Sequence, residues 1–360
     1  MPNNKSTDQK WISRCLDLAR RGIGYVSPNP PVGAVLVHED KILGEGYHTH
    51  FGGPHAEVEA FRSVPDEHRL LIPKATLYVS LEPCCITAKT PPCTSLILRE
   101  GVKDVRISVS DPNPEIAGKG IELLRSNGIH VTSGILEEEG RELIRFFTTN
   151  ILHYRPYVIL KWAQSKFGFI GSPDQKIWLS HPYTNIWSHK QRSMVDAIMV
   201  GARTVMLDDP QLTTRGYAGR SPHRVIYDPN GILSNSFRVF SDDGQKVFYF
   251  SEKDNQALDG NHIFKFILST GLSHAVQIIA GLFSHQIGIL LVEGGAYLHN
   301  LFIEQNTWDE AWVIRTNHEL DNGIKAPVVK GRLLDRLELG TDEILYLLND
   351  ERHNKTTVTR

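Results

Sequence analysis

The residues best suited to catalysis lie in two short stretches, His55-Ala56-Glu57 and Pro83 to Cys93. A histidine and two cysteines can bind a zinc ion through three bonds and leave its fourth position open for a water molecule. The metal lowers the pKa of such a water towards neutrality, so that it can act as a nucleophile. His55, Cys84 and Cys93 are therefore predicted to bind Zn²⁺, one ion per chain.

Glu57 stands two residues after the first predicted ligand and is predicted to be catalytic. A carboxylate in this position can take a proton from the zinc-bound water and return it to a leaving amine. The order His-x-Glu then Pro-Cys is typical of zinc nucleobase deaminases. Their usual Cys-x-x-Cys is absent, because position 87 is Thr87 and the second cysteine is Cys93, nine positions after Cys84.

Three neighbouring residues leave alternatives open. Cys85 adjoins a predicted ligand and is interpreted as a spacer, with a place in the ligand set as the alternative. His48 and His50 lie in the loop before His55, where a histidine is usually solvated, with a place in the ligand set as the alternative for each.

The long loop that closes on Thr-Pro-Pro-Cys resembles that of the bifunctional deaminase/reductase family of riboflavin biosynthesis. The resemblance covers nearly the whole chain and rests on further motifs, among them Pro28-Asn29-Pro30, Gly44 to His48, Leu81 to Cys84 and Asp111 to Pro114. It implies an α/β protein in which a cytidine-deaminase-like three-layer α/β/α domain precedes a dihydrofolate-reductase-like α/β domain.

The resemblance also implies the reaction. The first domain is expected to deaminate 2,5-diamino-6-(5-phosphoribosylamino)pyrimidin-4-one, and the second to reduce its ribosyl side chain to ribityl with NADPH. NADPH rather than NADH follows from the resemblance alone. In the first domain Asn29, Lys89 and Asn113 are expected to contact the substrate, and the family counterpart of His48 suggests that His48 could also do so. The amide of Asn29 offers a donor and an acceptor together, which suits the edge of a pyrimidine.

In the second half the family pattern implies two sets of binding residues. The cofactor set is Ala163, Trp178, Thr204, Asp208 and Gly295, and the substrate set is Lys161, Arg192, Leu212, Arg215 and Glu293. Guanidinium groups suit a phosphate dianion. A phosphate-binding site is predicted where the apolar strand 287–292 turns into the following helix. The glycines at 294 and 295 would let the backbone approach a ligand closely there.

The sequence departs from the family in two places. The loop from Cys85 to Ala88 lacks the family's histidine and glycine, and Phe167 replaces an aspartate at the mouth of the expected cofactor site. An alternative is therefore a diverged paralogue with one active domain or with a related aminopyrimidine as its substrate.

Composition limits the other possibilities. The chain has 360 residues, of which 41% are hydrophobic and 22% charged, with a formal net charge of −2. This balance predicts no nucleic-acid partner. The sequence contains no run of about 18 apolar residues, so no membrane span is predicted. The polar N-terminus has no signal-peptide core, so a cytoplasmic enzyme is expected. The expected partner is a small pyrimidine ribose phosphate, and the fold family suggests a homo-oligomer.

Helix and strand patterns alternate from Trp11 to Leu136 and indicate a three-layer α/β domain, and the family resemblance implies the role of each half of the chain. A deaminase domain is expected over 1–150, a reductase domain over 151–350 and a polar tail over 351–360. The first domain is predicted to close with a helix over 137–147, followed by a join over 148–156. Ser180 is predicted to be the N-cap of the helix that carries Arg192.

Overall fold

The structure is a computed structural model, and it describes residues 4–87 and 91–353. The chain divides into two compact units, Met1–Tyr154 and Arg155–Arg360. Among the described residues, no helix has the length and apolar character needed to cross a membrane.

The first unit contains a five-stranded sheet and six α-helices in its described part. The helices are α1 (Asn4–Arg20), α2 (Ala56–Arg62), α3 (Cys93–Glu100), α4 (Lys119–Ser126), α5 (Glu137–Leu143) and α6 (Arg145–His153). The strands are β1 (Gly33–His38), β2 (Lys41–Tyr47), β3 (Thr76–Leu81), β4 (Asp104–Val109) and β5 (His130–Thr132), and a 3₁₀-helix spans Asp66–Lys74.

This sheet has the strand order β2-β1-β3-β4-β5, with β1 antiparallel to both neighbours and β3, β4 and β5 parallel. Side chains alternate across it, as the period of a strand requires. Ala34 and Leu36 pack on one face with residues of α2, α3 and α4. Val35 and Val37 pack on the other face with α1 and with Leu143 of α5. The result is the expected three-layer α/β/α arrangement.

The second unit is built on a larger sheet. Its strands are β6 (Tyr157–Gln164), β7 (Phe169–Gly171), β8 (Ala197–Gly201), β9 (His223–Tyr227), β10 (Val247–Ser251), β11 (Ile263–Ile267), β12 (Ile289–Gly294), β13 (Glu310–Arg315), β14 (Ile324–Lys325), β15 (Arg332–Leu339) and β16 (Asp342–Leu348). Its helices are α7 (Pro182–Arg192), α8 (Ala202–Asp208), α9 (His274–Ser284), α10 (Ala296–Glu304) and α11 (Asp350–His353), with a 3₁₀-helix at Arg238–Phe240.

Nine of these strands form one sheet in the order β11-β10-β9-β8-β12-β6-β13-β16-β15. The strands from β11 to β13 are parallel, and β16 and β15 extend the sheet in antiparallel fashion. Both faces of the parallel part are buried, which explains continuous apolar runs such as Val247 to Phe250. Because the strands are parallel, the carboxyl ends of β6, β12, β8, β9 and β10 meet along one edge of the sheet, where ligands bind in folds of this kind.

Some predicted boundaries were wrong. The helix predicted over 137–147 is two helices, because Ile144 leaves helical geometry (φ −99°, ψ 12°). The second of these, α6, continues to His153, so most of the predicted join is helical. The N-cap of α7 is His181 rather than Ser180, since the His181 side chain accepts a hydrogen bond from the Tyr183 N–H and Pro182 occupies the first helical position. Residues 351–353 belong to α11, and the rest of the predicted tail lies outside the described residues.

Candidate active sites

Three side chains of the first unit converge on one point, those of His55, Cys84 and Cys93. One atom from each, a nitrogen and two sulfurs, forms a group in which all atoms lie within 4.8 Å of one another. His55 Nδ1 is 3.2 Å from Cys93 Sγ and 3.6 Å from Cys84 Sγ. Within residues 4–87 and 91–353 this is the one cluster of potential ligands close enough to share a metal ion, and it does not include Cys85, His48 or His50.

Two helix starts and one strand end bring the three side chains together. His55 immediately precedes α2, with an extended backbone (φ −72°, ψ 162°). Cys93 is the first residue of α3, and Cys84 follows the end of β3. The backbone N–H of Cys93 donates to Cys84 Sγ over 3.3 Å. An N–H group at a helix start stabilises a thiolate, so the fold favours a charged sulfur at Cys84.

The two cysteines have opposite proton affinities. Hydrogen bonds from Cys93 and His55 lower the pKa of the Cys84 thiol in spite of its burial. The hydrogen bond to Cys84, together with burial, raises the pKa of the Cys93 thiol. The hydrogen bond with Cys84 also raises the pKa of His55. These opposite shifts favour a thiolate at Cys84 and a thiol at Cys93.

The carboxyl group of Glu57 belongs to the first turn of α2, and the residue is only 3% exposed. Burial raises the pKa of Glu57, and the negative charge of Cys84 raises it further. A carboxyl group with a raised pKa can both accept and release a proton near neutral pH. The Cys93 thiol donates a hydrogen bond to the Glu57 carboxylate, which keeps Glu57 beside the ligand cluster.

Glu82 supports the site and was not among the predicted residues. Its buried carboxylate accepts backbone hydrogen bonds from two segments that follow β4, with donors at Asp111 (3.1 Å), Gly118 (3.0 Å), Gly120 (2.9 Å) and Ile121 (3.2 Å). Because Glu82 lies two residues before Cys84, these bonds tie a metal-ligand loop to the loop that carries Asn113. Its partners are distant in sequence, so local patterns give no signal for this role.

The predicted substrate residues of the first unit have different surroundings. Asn29 is half-buried, and its Nδ2 lies 3.0 Å from Nε2 of His48. His48 is 3% exposed, its ring packs edge-on against that of His55 with centroids 5.8 Å apart, and burial lowers its pKa. Asn29 is therefore linked to the ligand cluster through His48.

Asn113 lies in a turn that its own side chain stabilises, since Oδ1 accepts from the Glu115 N–H over 3.0 Å. The backbone N–H of Asn113 donates to Asp111 Oδ1 over 2.8 Å. Burial and the nearby charge of Glu82 raise the pKa of Asp111 to about 6, although the hydrogen bond from Asn113 opposes the shift. Lys89, the third predicted substrate residue, lies outside the described residues.

The second unit contains a cleft of about 990 Å³ along the carboxyl ends of its parallel strands. All the predicted cofactor and substrate residues of this unit line it, namely Ala163, Trp178, Thr204, Asp208, Gly295, Lys161, Arg192, Leu212, Arg215 and Glu293. They come from β6, α7, α8, β12 and the connecting loops, so only the folded sheet brings them together.

Three charged residues of the cleft wall, Lys161, Arg192 and Glu293, form a partly buried ion cluster. Glu293 forms two hydrogen bonds with Arg192, Nε to Oε1 at 3.1 Å and Nη2 to Oε2 at 2.6 Å, and Lys161 Nζ lies 3.7 Å from Oε1. Burial alone would raise the pKa of Glu293, but Arg192 and Lys161 outweigh it and lower the pKa to about 2. Burial lowers the pKa of Lys161, and Glu293 partly opposes that shift. Glu293 is therefore a permanent anion at neutral pH.

Arg215 differs from Arg192 in its ion pairing. It lines the cleft and is exposed, and in the described part of the chain no carboxylate forms an ion pair with it. Burial and the charges of Arg192 and Arg238 lower the pKa of Arg215, so this region of the cleft is positively charged. An anion bound here would relieve the repulsion between the guanidinium groups.

A glycine turn lies between the ion cluster and α10. A Cβ atom added at Gly294 or Gly295 would lie 3.7 Å from Thr204 Oγ1, so a side chain there would fill the space beside Thr204. Gly294 has a φ of +158°, which other residues rarely adopt. The turn leads directly into α10, whose first N–H groups have no partner within the helix.

Two further residues modify the expectations for this cleft. His189 also lines it, is 3% exposed and hydrogen-bonds to the Thr213 carbonyl at 3.0 Å through Nδ1. Its position three residues before Arg192 on α7 could have indicated that both share one helix face. Phe167 is 54% exposed and does not line the cleft, so the family's missing aspartate leaves no gap in the cleft wall.

Comparison with known proteins agrees with this architecture. Residues 5–109 match the family model described as the cytidine and deoxycytidylate deaminase zinc-binding region, and residues 156–315 match the RibD C-terminal domain. The riboflavin biosynthesis protein RibD of Aquifex aeolicus is 37% identical over 309 residues, which cover 85% of each chain. RibD of Escherichia coli is 31% identical over 319 residues, or 84% of this chain and 86% of that one. The chain belongs to the RibD family.

Solved structures extend the likeness to the whole fold. A deaminase/reductase from Thermotoga maritima, 35% identical, superposes with a TM-score of 0.87 over 96% of this chain and 99% of its own. RibD of Acinetobacter baumannii, 29% identical, gives 0.86 over the same shares. The predicted family and fold, a deaminase-like α/β/α domain followed by a dihydrofolate-reductase-like domain, are confirmed. The chain is thus a bifunctional RibD protein of riboflavin biosynthesis, and no finding favours the alternative of a diverged paralogue.

Proposed function

We propose that the chain deaminates 2,5-diamino-6-(5-phosphoribosylamino)pyrimidin-4-one hydrolytically with zinc, and then reduces the ribosyl side chain to ribityl with NADPH. The observation that carries this proposal is the cluster of His55, Cys84 and Cys93 with a buried carboxyl group, Glu57, held against it. A structural metal site has no need of such a carboxyl group, whereas hydrolytic deamination needs a group that moves protons.

The ligand geometry fits zinc. Tetrahedral zinc with bonds of about 2.3 Å to sulfur and 2.0–2.1 Å to nitrogen separates a nitrogen from a sulfur ligand by roughly 3.6 Å. His55 Nδ1 lies 3.2 Å and 3.6 Å from the two cysteine sulfurs. Three protein ligands leave a fourth position, and the metal would supply an activated water there.

The protein's own residues would perform the remaining steps of deamination. Glu57 would take the proton of the attacking water and hold it, because burial raises its pKa. It would then transfer the proton to the departing amino group as ammonia leaves. Asn29, Asn113 and Lys89 would bind the pyrimidine, and Glu82 would keep the two loops in register through its backbone hydrogen bonds.

The reductase cleft fits a nicotinamide dinucleotide. The turn at Gly294 and Gly295 and the start of α10 would bind its diphosphate, with Thr204 beside them. Ala163, Trp178 and Asp208 complete the proposed cofactor set, and the cofactor itself supplies the hydride.

The proposed substrate-binding residues of the cleft would have two different roles. Arg215 has no carboxylate partner among the described residues and would bind the ribose phosphate, with Arg192 and Leu212 beside it. Lys161, held by Glu293, would stabilise negative charge on the sugar during reduction. The chain is also proposed to assemble as a homo-oligomer in the cytoplasm, which light scattering and cell fractionation would test.

A coupled assay tests the two reactions together. Zinc-loaded protein is given the diaminopyrimidine substrate, and ammonia release and NADPH oxidation are followed separately. Glu57→Gln is expected to lower the deamination rate by about 10²- to 10⁴-fold, the usual contribution of a general acid–base group. NADPH oxidation with the deaminated intermediate should stay near the wild-type rate.

Glu59→Gln is the matched control, because Glu59 lies on the same helix and pairs with Arg62 at the surface. It should leave both reactions unchanged. Wild-type protein that binds one zinc ion but releases no ammonia would contradict the assigned substrate. NADPH oxidation before any deamination would contradict the proposed order.

A further inference from the structure

The amide of Asn29 and the imidazole of His48 form a pair whose hydrogen-bond directions can be worked out. His48 Nδ1 lies 2.8 Å from the carbonyl oxygen of Pro54. A carbonyl oxygen can only accept, so Nδ1 must carry the proton. With the proton on Nδ1, the other ring nitrogen, Nε2, is left as an acceptor, and it faces the Asn29 amide group.

The tautomer of His48 decides the orientation of the Asn29 amide. Nε2 lies 3.0 Å from the amide nitrogen Nδ2 of Asn29, and only the NH₂ group can donate to a bare ring nitrogen. The reverse orientation would bring the amide oxygen against the lone pair of Nε2. In the described part of the chain Oδ1 of Asn29 has no hydrogen-bond partner, and the residue is only half-buried.

We propose that His48 is a positioning residue that turns the carbonyl oxygen of Asn29 towards the deamination substrate. Both ring nitrogens of His48 are engaged within the protein, one by Pro54 and one by Asn29. The ring also packs against that of His55, so it links the oriented amide to a proposed metal ligand. His48 therefore acts through Asn29 and neither binds metal nor transfers protons.

This orientation has a consequence for the substrate class. A fixed acceptor requires an N–H donor on the ligand at that point, as an amino group or a protonated ring nitrogen of an aminopyrimidine provides. A ligand that presents only acceptors on that edge would leave Oδ1 unpaired or face it with a second oxygen. The substrate statement rests on the proposed deaminase function, whereas the orientation of Asn29 does not.

The tautomer can be observed directly. Long-range ¹H–¹⁵N correlation spectra of zinc-loaded, histidine-labelled protein would identify the His48 ring, assigned by its loss in His48→Gln. The neutral form protonated on Nδ1 is expected. A ring protonated on Nε2, or on both nitrogens at neutral pH, overturns the proposal, whether or not the protein deaminates the assigned pyrimidine.

Kinetics test whether His48 acts through Asn29. His48→Leu removes both hydrogen bonds and should raise the KM of deamination by about 10-fold, with a smaller change in kcat. In an Asn29→Ala background His48→Leu should raise the KM by no more than about 2-fold, because the amide group that His48 orients is already absent. If the increases in KM caused by the two substitutions multiply in the double variant, His48 acts independently of Asn29, and the proposal is overturned.

His48→Gln is the conservative variant, since its side-chain oxygen can accept from Asn29 while its amide nitrogen donates to Pro54. It should retain zinc and recover deamination to within about 3-fold of wild type, a residual loss of less than one hydrogen bond. A zinc-replete, folded His48→Gln protein whose KM is about 10-fold or more above that of the wild type would contradict the positioning role. Because this variant keeps the polar contacts, the test does not depend on whether His48→Leu folds.

Discussion

Two buried carboxylates, Glu57 in the first unit and Glu293 in the second, have opposite electrostatic environments. Glu57 pairs with no lysine or arginine among the described residues, and burial raises its pKa. Glu293 is held between Arg192 and Lys161, which lower its pKa to about 2. Burial acts to raise the pKa of both groups, since Glu57 is 3% exposed and the Glu293 side chain 8%, so the neighbouring charges decide the chemistry. An unpaired buried carboxyl group can carry protons, whereas a doubly paired one is a fixed anion that orients its neighbours.

The difference between the environments of Glu57 and Glu293 is tested most directly by removing the charge of Glu293. Glu293→Gln would leave two partly buried cations without their counter-ion, and we expect a loss of about 3 to 5 kcal/mol in the free energy of unfolding. Reduction of the deaminated intermediate should also fall, because Arg192 and Lys161 lose their fixed positions. Urea denaturation, followed by fluorescence and by NADPH-dependent turnover, measures both effects.

Glu304→Gln is the control for this variant, since Glu304 is exposed at the end of α10. Glu57→Gln in metal-free protein provides the opposite comparison. It replaces a carboxyl group with a raised pKa by a neutral group of the same shape, and should not reduce stability at neutral pH. Equal destabilisation by Glu57→Gln and Glu293→Gln would show that the two environments do not differ as described.

The two sites also differ in how far the sequence predicts them. His55, Glu57, Cys84 and Cys93 lie within one stretch, and their spacing alone indicates a zinc site with a proton carrier. The structure brings the three ligands together as this spacing requires. The four backbone donors around the Glu82 carboxylate are not predictable in this way, because they come from residues 111–121, after a further helix and strand.

The cleft residues of the second unit depend on long-range structure. Without the family resemblance, Arg192 and Glu293 are ordinary charged residues about a hundred positions apart, and only the pairing of β12 with β6 and β8 brings them near each other. The sequence gives no signal for the edge strand β15, because its exposed, charged residues lack the apolar pattern of a buried strand. The break at Ile144 was missed because an apolar helical period continues through it.

The pH dependence of stability gives a second test of the difference between Glu57 and Glu293, with a slightly smaller expected effect on the free energy of unfolding. The folded-state pKa of Glu293 is about 2, compared with an ordinary value of 4.5. Its ion pairs therefore stabilise the fold fully above pH 4.5, and this contribution is lost as the pH falls towards 2. A shift of this size corresponds to a contribution on the order of 3 kcal/mol.

The difference in unfolding free energy between wild type and Glu293→Gln should consequently narrow as the pH is lowered below 4.5. Urea titrations at several pH values would measure it. A difference that stays constant over this range would mean that Glu293 remains protonated, or unpaired, in the folded protein.

The smallest expected effect concerns Phe167, where the chain departs from its family. The side chain is 54% exposed, and Phe167 does not line the cleft that contains Glu293. Phe167→Asp restores the family's carboxylate, and surface changes of this kind usually alter stability by less than about 0.5 kcal/mol. We expect less than about a 2-fold change in kcat/KM for NADPH, which corresponds to under about 0.4 kcal/mol.

Phe167→Ala separates the loss of the ring from the gain of a charge and should behave in the same way. If Phe167→Asp instead increased reductase activity by about 10-fold or more while Phe167→Ala did not, the carboxylate would have to act on the cofactor over a distance. The electrostatics of the cleft would then depend on the turn after β6 as well as on the cluster of Lys161, Arg192 and Glu293.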